Sequence, residues 1–423
     1  MNIRIFTLGT RGDVQPFVAL GMELQRRGHE VTLCTAQNFQ AFAEGYGVGF
    51  APIRANFMEL TQSAEGKELL GGNPLEMMRS MEKIIYPMLQ TMLEDIWSAS
   101  EGAEALIYHP KAFGGSDVAE RLDIPAFAAH PIPIIAPTGL ITNPALPMAV
   151  KNRWFNKKSY LVNRLALTPF QSMINQWRRE SLGLGKRSVF ANDLQVNGRD
   201  IPVLYGCSPS VVPYDPQWNG NVSMEGFWFL PEPEDFRPTR ELSDFLSAGE
   251  TPIAVSFSSM PFKEPDKIMM MLREALRRVG CRGVIITGWS GMSEVRDEFV
   301  YCIPEIPHSW LFPRVSGVIH HGGAGTTAAA LAAGKPMIVC PFAGDQPFWA
   351  RRMQELGVAA KPLREKDMSA DRFAERITEI AENQEMARKA SRLAEQIATE
   401  SGVKNTVNFV EKRLELFPSR NWK

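Results

Sequence analysis

The 423-residue chain has no surplus of either charge: 46 Lys and Arg stand against 47 Asp and Glu, a formal net charge of -1. That balance gives no general electrostatic grip on nucleic acid or on an anionic membrane. Cysteine is sparse and unpatterned. The five residues Cys34, Cys207, Cys281, Cys302 and Cys340 are odd in number and contain no CxxC, which argues against a disulfide framework and a zinc site. Three of them (Cys34, Cys302 and Cys340) sit in apolar strand-like runs, where a thiol behaves as a small hydrophobe. Long apolar runs are missing too. The most apolar later stretch, residues 125 to 141, carries four prolines and offers no membrane span. The opening "MNIRIFTLGTRGD" has an apolar run too short for a signal peptide, so a cytoplasmic protein with reduced thiols is expected.

What is present is ordinary globular material, 44% hydrophobic and 22% charged, in a chain long enough for two cores. The first fifty residues alternate strand and helix: "NIRIFTLG", the turn "TRGDVQP", the amphipathic "FVALGMELQRRG", then "EVTLCTA", "FQAFAEGYG" and "VGFAPI". Alternation of this kind predicts parallel strands with right-handed crossovers. The pair "ALIYHP" and "IPAFAAHP" extends the same sheet. After a Pro-rich segment, a second series begins with "TPIAVSFSS" and continues through "GVIITGW", "FVYCIP", "SGVIHH", "PMIVCPF" and "VAAKPL". The expected organisation is a first α/β domain over 1–215, a linker over 216–245, a second α/β domain over 246–400, and a helical tail over 401–423 packing back on the first domain. Ligands of such sheets bind outside the carboxyl ends of the strands, so the site belongs in the cleft between the domains.

One stretch concentrates chemistry. In "GVIHHGGAGTTAAALAAGKPMIVCPFAGDQPFWA", Gly322, Gly323 and Gly325 lie between a strand and a helix. Without side chains there, backbone N–H groups can approach a ligand, and the following helix terminus favours phosphate. His321 can donate to a phosphate oxygen, and Thr326 or Thr327 can cap the helix while offering a hydroxyl. A tight turn needing glycine, with Thr326 as a simple cap, is the alternative. His320 is expected to point into the core. The pattern is neither a Walker loop nor GxGxxG.

This stretch resembles the donor-binding signature of GT-B fold glycosyltransferases that use sugar nucleotides on small acceptors. The pattern is most similar to sterol 3β-glucosyltransferases, with antibiotic and macrolide glycosyltransferases further off. "IPHSWLFPRVSGVIHHGGAGTT", "FAGDQPFWARRMQELGV", "TLGTRGDVQPFVALGMEL" and "TGWSG" carry the resemblance across both domains. It implies two facing Rossmann-like α/β domains with an interdomain cleft. It implies that His321, Gly323, Ala324, Gly325 and Thr326 hold a diphosphate and that Asp345 and Gln346 meet sugar hydroxyls, although Asp345 could instead be a helix N-cap before Pro347. Trp289, Ile303 and Pro304 would lie near the nucleotide base. Where relatives show a "GFGS" type of turn, this chain reads "SFSSM", Ser256 to Met260. Ser259 would make the phosphate contact there, while Ser256 and Ser258 restrict close backbone approach.

The resemblance also makes Asp13, in "GTRGDVQP", the general base, with Thr10, Arg11 and Gly12 shaping the cleft floor. From sequence alone Asp13 could equally cap the helix starting near Gln15 or Pro16. His109 and His130 fall at strand ends and, with Ile132, Met77 and Met81, are assigned to the acceptor cleft without a catalytic role. The Met- and aromatic-rich segments 54–100 and 131–200 are either packing helices with Met as gap filler or a wall for an apolar acceptor carrying a hydroxyl, such as a sterol, triterpenoid or polyketide. The implied reaction is inverting transfer of a sugar, glucose from UDP-glucose by the sterol-type resemblance, with no cofactor beyond the nucleotide sugar. No acidic cluster of the kind that holds Mg2+ adjoins the motif, so no metal is required. Nucleic acid is not expected as a partner, transient membrane contact stays open, and a monomer or weak homodimer is expected. Uridine versus thymidine diphosphate is not decided by the sequence. A sugar-nucleotide epimerase of the same architecture and a non-catalytic nucleotide-sugar or lipid binder remain as alternatives.

Overall fold

A computed structural model describes residues 1–55, 81–231, 236–257, 262, 264–288 and 291–417. Fourteen strands are found among them: β1 (Asn2–Phe6), β2 (Glu30–Ala36), β3 (Gly49–Ile53), β4 (Ala105–Tyr108), β5 (Ala126–His130), β6 (Gln195–Val196), β7 (Arg199–Asp200), β8 (Val203–Tyr205), β9 (Val222–Met224), β10 (Ile253–Ser256), β11 (Gly283–Ile286), β12 (Val300–Ile303), β13 (Val318–His320) and β14 (Met337–Val339). β6 and β7 make a small antiparallel hairpin. The others form two parallel sheets, ordered β3-β2-β1-β4-β5-β8-β9 and β12-β11-β10-β13-β14.

The central strands are apolar on both faces because helices cover both. Ile3, Ile5, Leu106 and Ile107 are sealed in the first sheet, as are Val255, Ile285 and Ile319 in the second. The first crossover is the Arg11–Arg26 helix, whose Val14, Phe17, Val18 and Leu24 recur at helical spacing and are buried. It ends as expected near Gly28, which takes φ +88.

The first sheet extends further along the chain than the sequence suggests. β8 and β9 add two short parallel strands, and β9 lies inside the stretch read as linker. The Arg240–Ser247 helix, also in that stretch, is tied to the second domain by Arg296 to Glu241 and by Arg282 to the Phe245 carbonyl. "VAAKPL" forms only a single bridge, Met337 to Ala359. The Gly402–Glu415 helix packs on the Arg11–Arg26 helix and β9. All five cysteines are free thiols, four of them buried.

In both sheets the strand order reverses next to the central strand. β1 has β2 on one side and β4 on the other, while β10 has β11 on one side and β13 on the other. At such switch points the connecting loops diverge and leave a crevice at the carboxyl ends. The turns after β1 and β4 hold residues 7–13 and 109–113, and the turns after β10 and β13 hold residues from 257 and from 321 onward.

Candidate active site

On the first-domain side the centre is Asp13. Gly9 at φ +135 turns the chain out of β1, and the helix begins at Arg11 with Thr10 as N-cap. Asp13 is therefore in the first helical turn rather than at a cap before Gln15. Its carboxylate nevertheless serves the helix end. Its Oδ2 accepts from the Thr10 N–H at 2.8 Å, closing a capping box, while Oδ1 accepts from Lys111 Nζ at 2.8 Å. A Cβ on Gly9 would sit 2.1 Å from Asp13 Oδ2, so only glycine leaves room for that carboxylate.

His109 lies beneath. Its Nδ1 accepts from the Lys111 N–H at 3.0 Å, which leaves the proton of the neutral ring on Nε2, 3.6 Å from Asp13 Oδ1. His130 packs against it with ring centroids 4.3 Å apart, its own Nδ1 accepting from Ile132 N–H. Burial pushes both imidazoles well below their ordinary range, so both are neutral at pH 7. Neither ring faces open space: His109, His130 and Ile132 are all buried. They underlie the cleft floor instead of lining it. The structure thus places these three residues of the expected acceptor cleft under the turn that carries Asp13. Thr10, Arg11 and Gly12 are exposed at the rim. Met77 lies outside the described residues, and of Met81 only the helical backbone is described.

The second-domain side has the turn after β13. His320 is sealed in the core, as expected, its Nδ1 accepting from Gly322 N–H. Gly322 takes φ +90, where a side chain is strained and a Cβ would also meet Val339 at 2.8 Å, while a Cβ on Gly323 would meet His321 Nε2 at 2.4 Å. The Ala324–Ala332 helix starts with Gly323 as N-cap and has no side-chain cap. Thr326 and Thr327 are both inside the helix, and Thr327 Oγ1 donates back to the Gly323 carbonyl at 2.8 Å. The expectation that one of them caps the helix is corrected: the helix begins two residues earlier. Its first N–H groups are thus left for a ligand. His321 is buried, with Nδ1 lacking a partner, and burial lowers its pKa to about 4, so it presents a neutral ring.

Asp345 is the N-cap residue of the Gln346–Glu355 helix by position, yet its carboxylate accepts from Trp349 Nε1 at 2.8 Å instead of capping. Burial is the main reason its pKa rises to about 6, with Asp13 adding to the rise and Lys111 opposing it. Those two influences place Asp345 across the cleft from the Asp13–Lys111 pair. Gln346 is buried, and its Oε1 accepts from Phe342 N–H and Ala343 N–H, fixing the loop that carries Asp345. Ile303 and Pro304 accept from Thr287 N–H and Gly288 N–H at the end of β12. Trp289, Ser258 and Ser259 lie outside the described residues. Ser256 is buried and shares a 3.1 Å hydrogen bond with His308 Nε2.

Three residues escaped the sequence reading. Lys111 follows β4, and β4 pairs with β1, so its turn had to lie beside Asp13. His308 stacks on Phe312 at 4.5 Å and sits close enough to His321 to depress its own pKa, which burial chiefly takes to about 4. Glu305, at the edge of the second domain, pairs with Arg11 of the first across the cleft mouth.

A carboxylate with a hydrogen-bond acceptor face, an uncapped helix terminus beside a neutral imidazole, and a second carboxylate opposite form a site suited to proton abstraction next to a bound anion. Comparison with known proteins identifies the family. Residues 3–138 match the glycosyltransferase family 28 N-terminal domain, and residues 287–412 match the erythromycin biosynthesis protein CIII-like C-terminal domain. Two sterol 3-beta-glucosyltransferases of Arabidopsis thaliana are 35% and 32% identical over 98% of this chain. The chain spans 66% and 68% of their lengths, and 35% of a 30% identical Saccharomyces cerevisiae sterol 3-beta-glucosyltransferase. Among solved structures, the glycotransferase of kitacinnamycin has TM-score 0.72 at 19% identity over 98% of this chain and 99% of that one. A Streptomyces glycosyltransferase complexed with thymidine diphosphate has TM-score 0.62 at 19% identity over 97% and 99%. The chain belongs to the sterol 3-beta-glucosyltransferase family of glycosyltransferases and has their GT-B fold.

Proposed function

We propose that the protein transfers glucose from UDP-glucose to the hydroxyl of a sterol or similar apolar molecule, with inversion at the anomeric carbon. The observation that carries this reading is Asp13, held at the switch point of the first sheet and near enough to Asp345 of the second domain to help raise its pKa. In this scheme Asp13 takes the acceptor proton as its oxygen attacks the sugar C1. The bond from C1 to the diphosphate breaks on the far side. Negative charge then grows on the leaving diphosphate, where the N–H groups of residues 324–326 and the neutral His321 ring meet it. Asp345 accepts from sugar hydroxyls, and Gln346 keeps its loop in place. Ile303 and Pro304 flank the nucleotide base. With the leaving charge met by these groups, transfer is expected to proceed in the presence of a chelator.

The test is Asp13→Asn. It is expected to lower turnover by about 10²–10⁴-fold while calorimetry finds UDP-glucose affinity within about twofold of the parent protein. Turnover near the parent level would remove Asp13 as the base. A panel of UDP- and TDP-sugars against hydroxylated apolar acceptors, scored by mass increment, tests the substrate class. Sugar interconversion without any acceptor would favour the epimerase reading.

A further inference from the structure

The Arg153–Ser159 and Leu161–Leu167 helices, joined at Tyr160, are unusually placed for their composition. The second of them reads LVNRLAL and buries none of its residues. Trp154 is 71% exposed and Leu165 58%, and Met148, Leu161 and Phe190 are exposed as well. Leu161 and Leu165 are one helical turn apart, and Arg164 Nη1 donates to the Phe190 carbonyl at 3.1 Å, bringing Phe190 to the same side.

Charge is one-sided here, although the chain as a whole is neutral. Between Asp123 and Glu180 there is no acidic residue, while Lys151, Arg153, Lys157, Lys158 and Arg164 fall within a few turns of the exposed apolar side chains. Lys151, Arg153, Lys157 and Lys158 are exposed; Arg164 pairs with Asp193 at 3.8 Å and Arg153 helps hold the Asp215 carboxyl low, which leaves the three lysines as the unbalanced charge. Trp and Leu flanked by Lys and Arg on short surface helices are the combination that lies in a bilayer interface, rings and aliphatic groups among the acyl chains and cations at the headgroups.

The pair is firmly tied to the cleft. Buried Tyr160 donates its OH to the Pro133 carbonyl at 3.0 Å, and Asn163 Nδ2 donates to the Ile134 carbonyl at 2.6 Å. Both acceptors lie in the loop leaving β5, a few residues beyond His130. We infer that this surface, Met148 to Leu167 with Phe190, docks on an anionic lipid bilayer and brings the acceptor cleft to the membrane. The anionic headgroup is selected by the unbalanced cations; a neutral partner would leave them unpaired. The inference stands apart from the sugar-transfer reading, since docking needs neither donor nor acceptor.

The full chain should co-sediment with vesicles of phosphatidylcholine containing 30–40% phosphatidylserine (about the anionic content that gives a strong surface potential) and not with phosphatidylcholine alone. Lys157→Glu with Lys158→Glu should lower that partition by about tenfold or more. Trp154→Ala with Leu165→Ser should lower it at constant charge. Both variants should keep the parent melting temperature and UDP-glucose affinity, which separates lost docking from lost folding. Brominated lipid should quench indole emission in the parent and less in Trp154→Ala. Absence of vesicle binding at low salt, or equal binding by the charge-reversed variant, would overturn the inference and leave an acidic protein as the occupant of this face.

Discussion

Lys111 Nζ sits 2.8 Å from Asp13 Oδ1, and the backbone N–H of Thr10 sits 2.8 Å from Asp13 Oδ2. The ammonium and the helix terminus hold the carboxylate from two sides. Exchanging Lys111 for Met frees Oδ1 to rotate away. Steady-state kinetics is expected to find kcat reduced by about tenfold with the donor KM little changed, and Lys111→Arg recovering part of it. An equal rise in donor KM would place Lys111 in substrate binding instead.

Gly9→Ala tests the same geometry without changing a charge. The added methyl would lie 2.1 Å from Asp13 Oδ2, at a φ of +135 that side chains avoid. The carboxylate must move while the sheet behind it is untouched. Transfer should fall by about 10²-fold or more and UDP-glucose binding should persist; normal kcat would show that the carboxylate position is not critical.

With Asp345 in its proposed role at the donor sugar, donor binding is expected to depend on pH. Its carboxyl, raised to about 6, is largely protonated below that pH and accepts fewer hydrogen bonds from sugar hydroxyls. Donor affinity should tighten as pH rises through about 6 and level off above 7, by up to about tenfold per unit in the acid limb. Asp345→Asn should flatten the profile, and an unchanged inflection in that variant would assign it to another group.

The histidines set the acid limit of the fold. His109, His130, His308, His320 and His321 are all held below the ordinary imidazole value by burial. In the unfolded chain they take protons near pH 6.5, while the folded sites refuse them until about 4 for His308 and His321. Stability is thus full above 6.5 and lost as pH falls through that window, at up to about 1.4 kcal/mol per unit for each group. Asp345 acts in the opposite sense, favouring the folded state as pH falls through about 6. Asp117 and Asp193, also raised by burial, act in the same sense, and three carboxyls against five imidazoles still leave a net loss. Melting temperature should be flat from pH 7 to 8 and drop steeply below 6.5; a flat curve to pH 5 would contradict the burial of these rings.

Much of this was legible before any coordinates. The alternation from Asn2 to Ile53 and the apolar runs around Val255, Ile285 and Ile319 mark parallel strands because both faces are covered. The Gly-rich turn at 322–325 and Asp13 stand at carboxyl ends of those strands. Less visible were Val203–Tyr205 and Val222–Met224, three-residue strands in Pro- and Gly-rich surroundings whose pairing depends on β5 already being in place. Thr326 resembled a cap, yet Gly323 can adopt the required extended backbone at φ -64 and ψ 145, and the helix starts there. Lys111 has no local signature; only the β1–β4 register brings it to Asp13.

The chain passes between its two domains twice, and the two passages touch. A Cβ on Gly402 would come within 2.4 Å of the Phe227 carbonyl oxygen, and one on Gly226 within 3.1 Å of Gly402 Cα. Outgoing and returning segments therefore cross backbone to backbone at a single point. Rotation about that place would spare both crossings, although it must break the Arg351–Pro147 and Arg352–Val211 hydrogen bonds between the domains, while sliding or separation would strain both crossings at once. The Arg11–Glu305 pair at the cleft mouth is then the natural gauge of that rotation. Its making and breaking would report one angle rather than a spread of independent displacements.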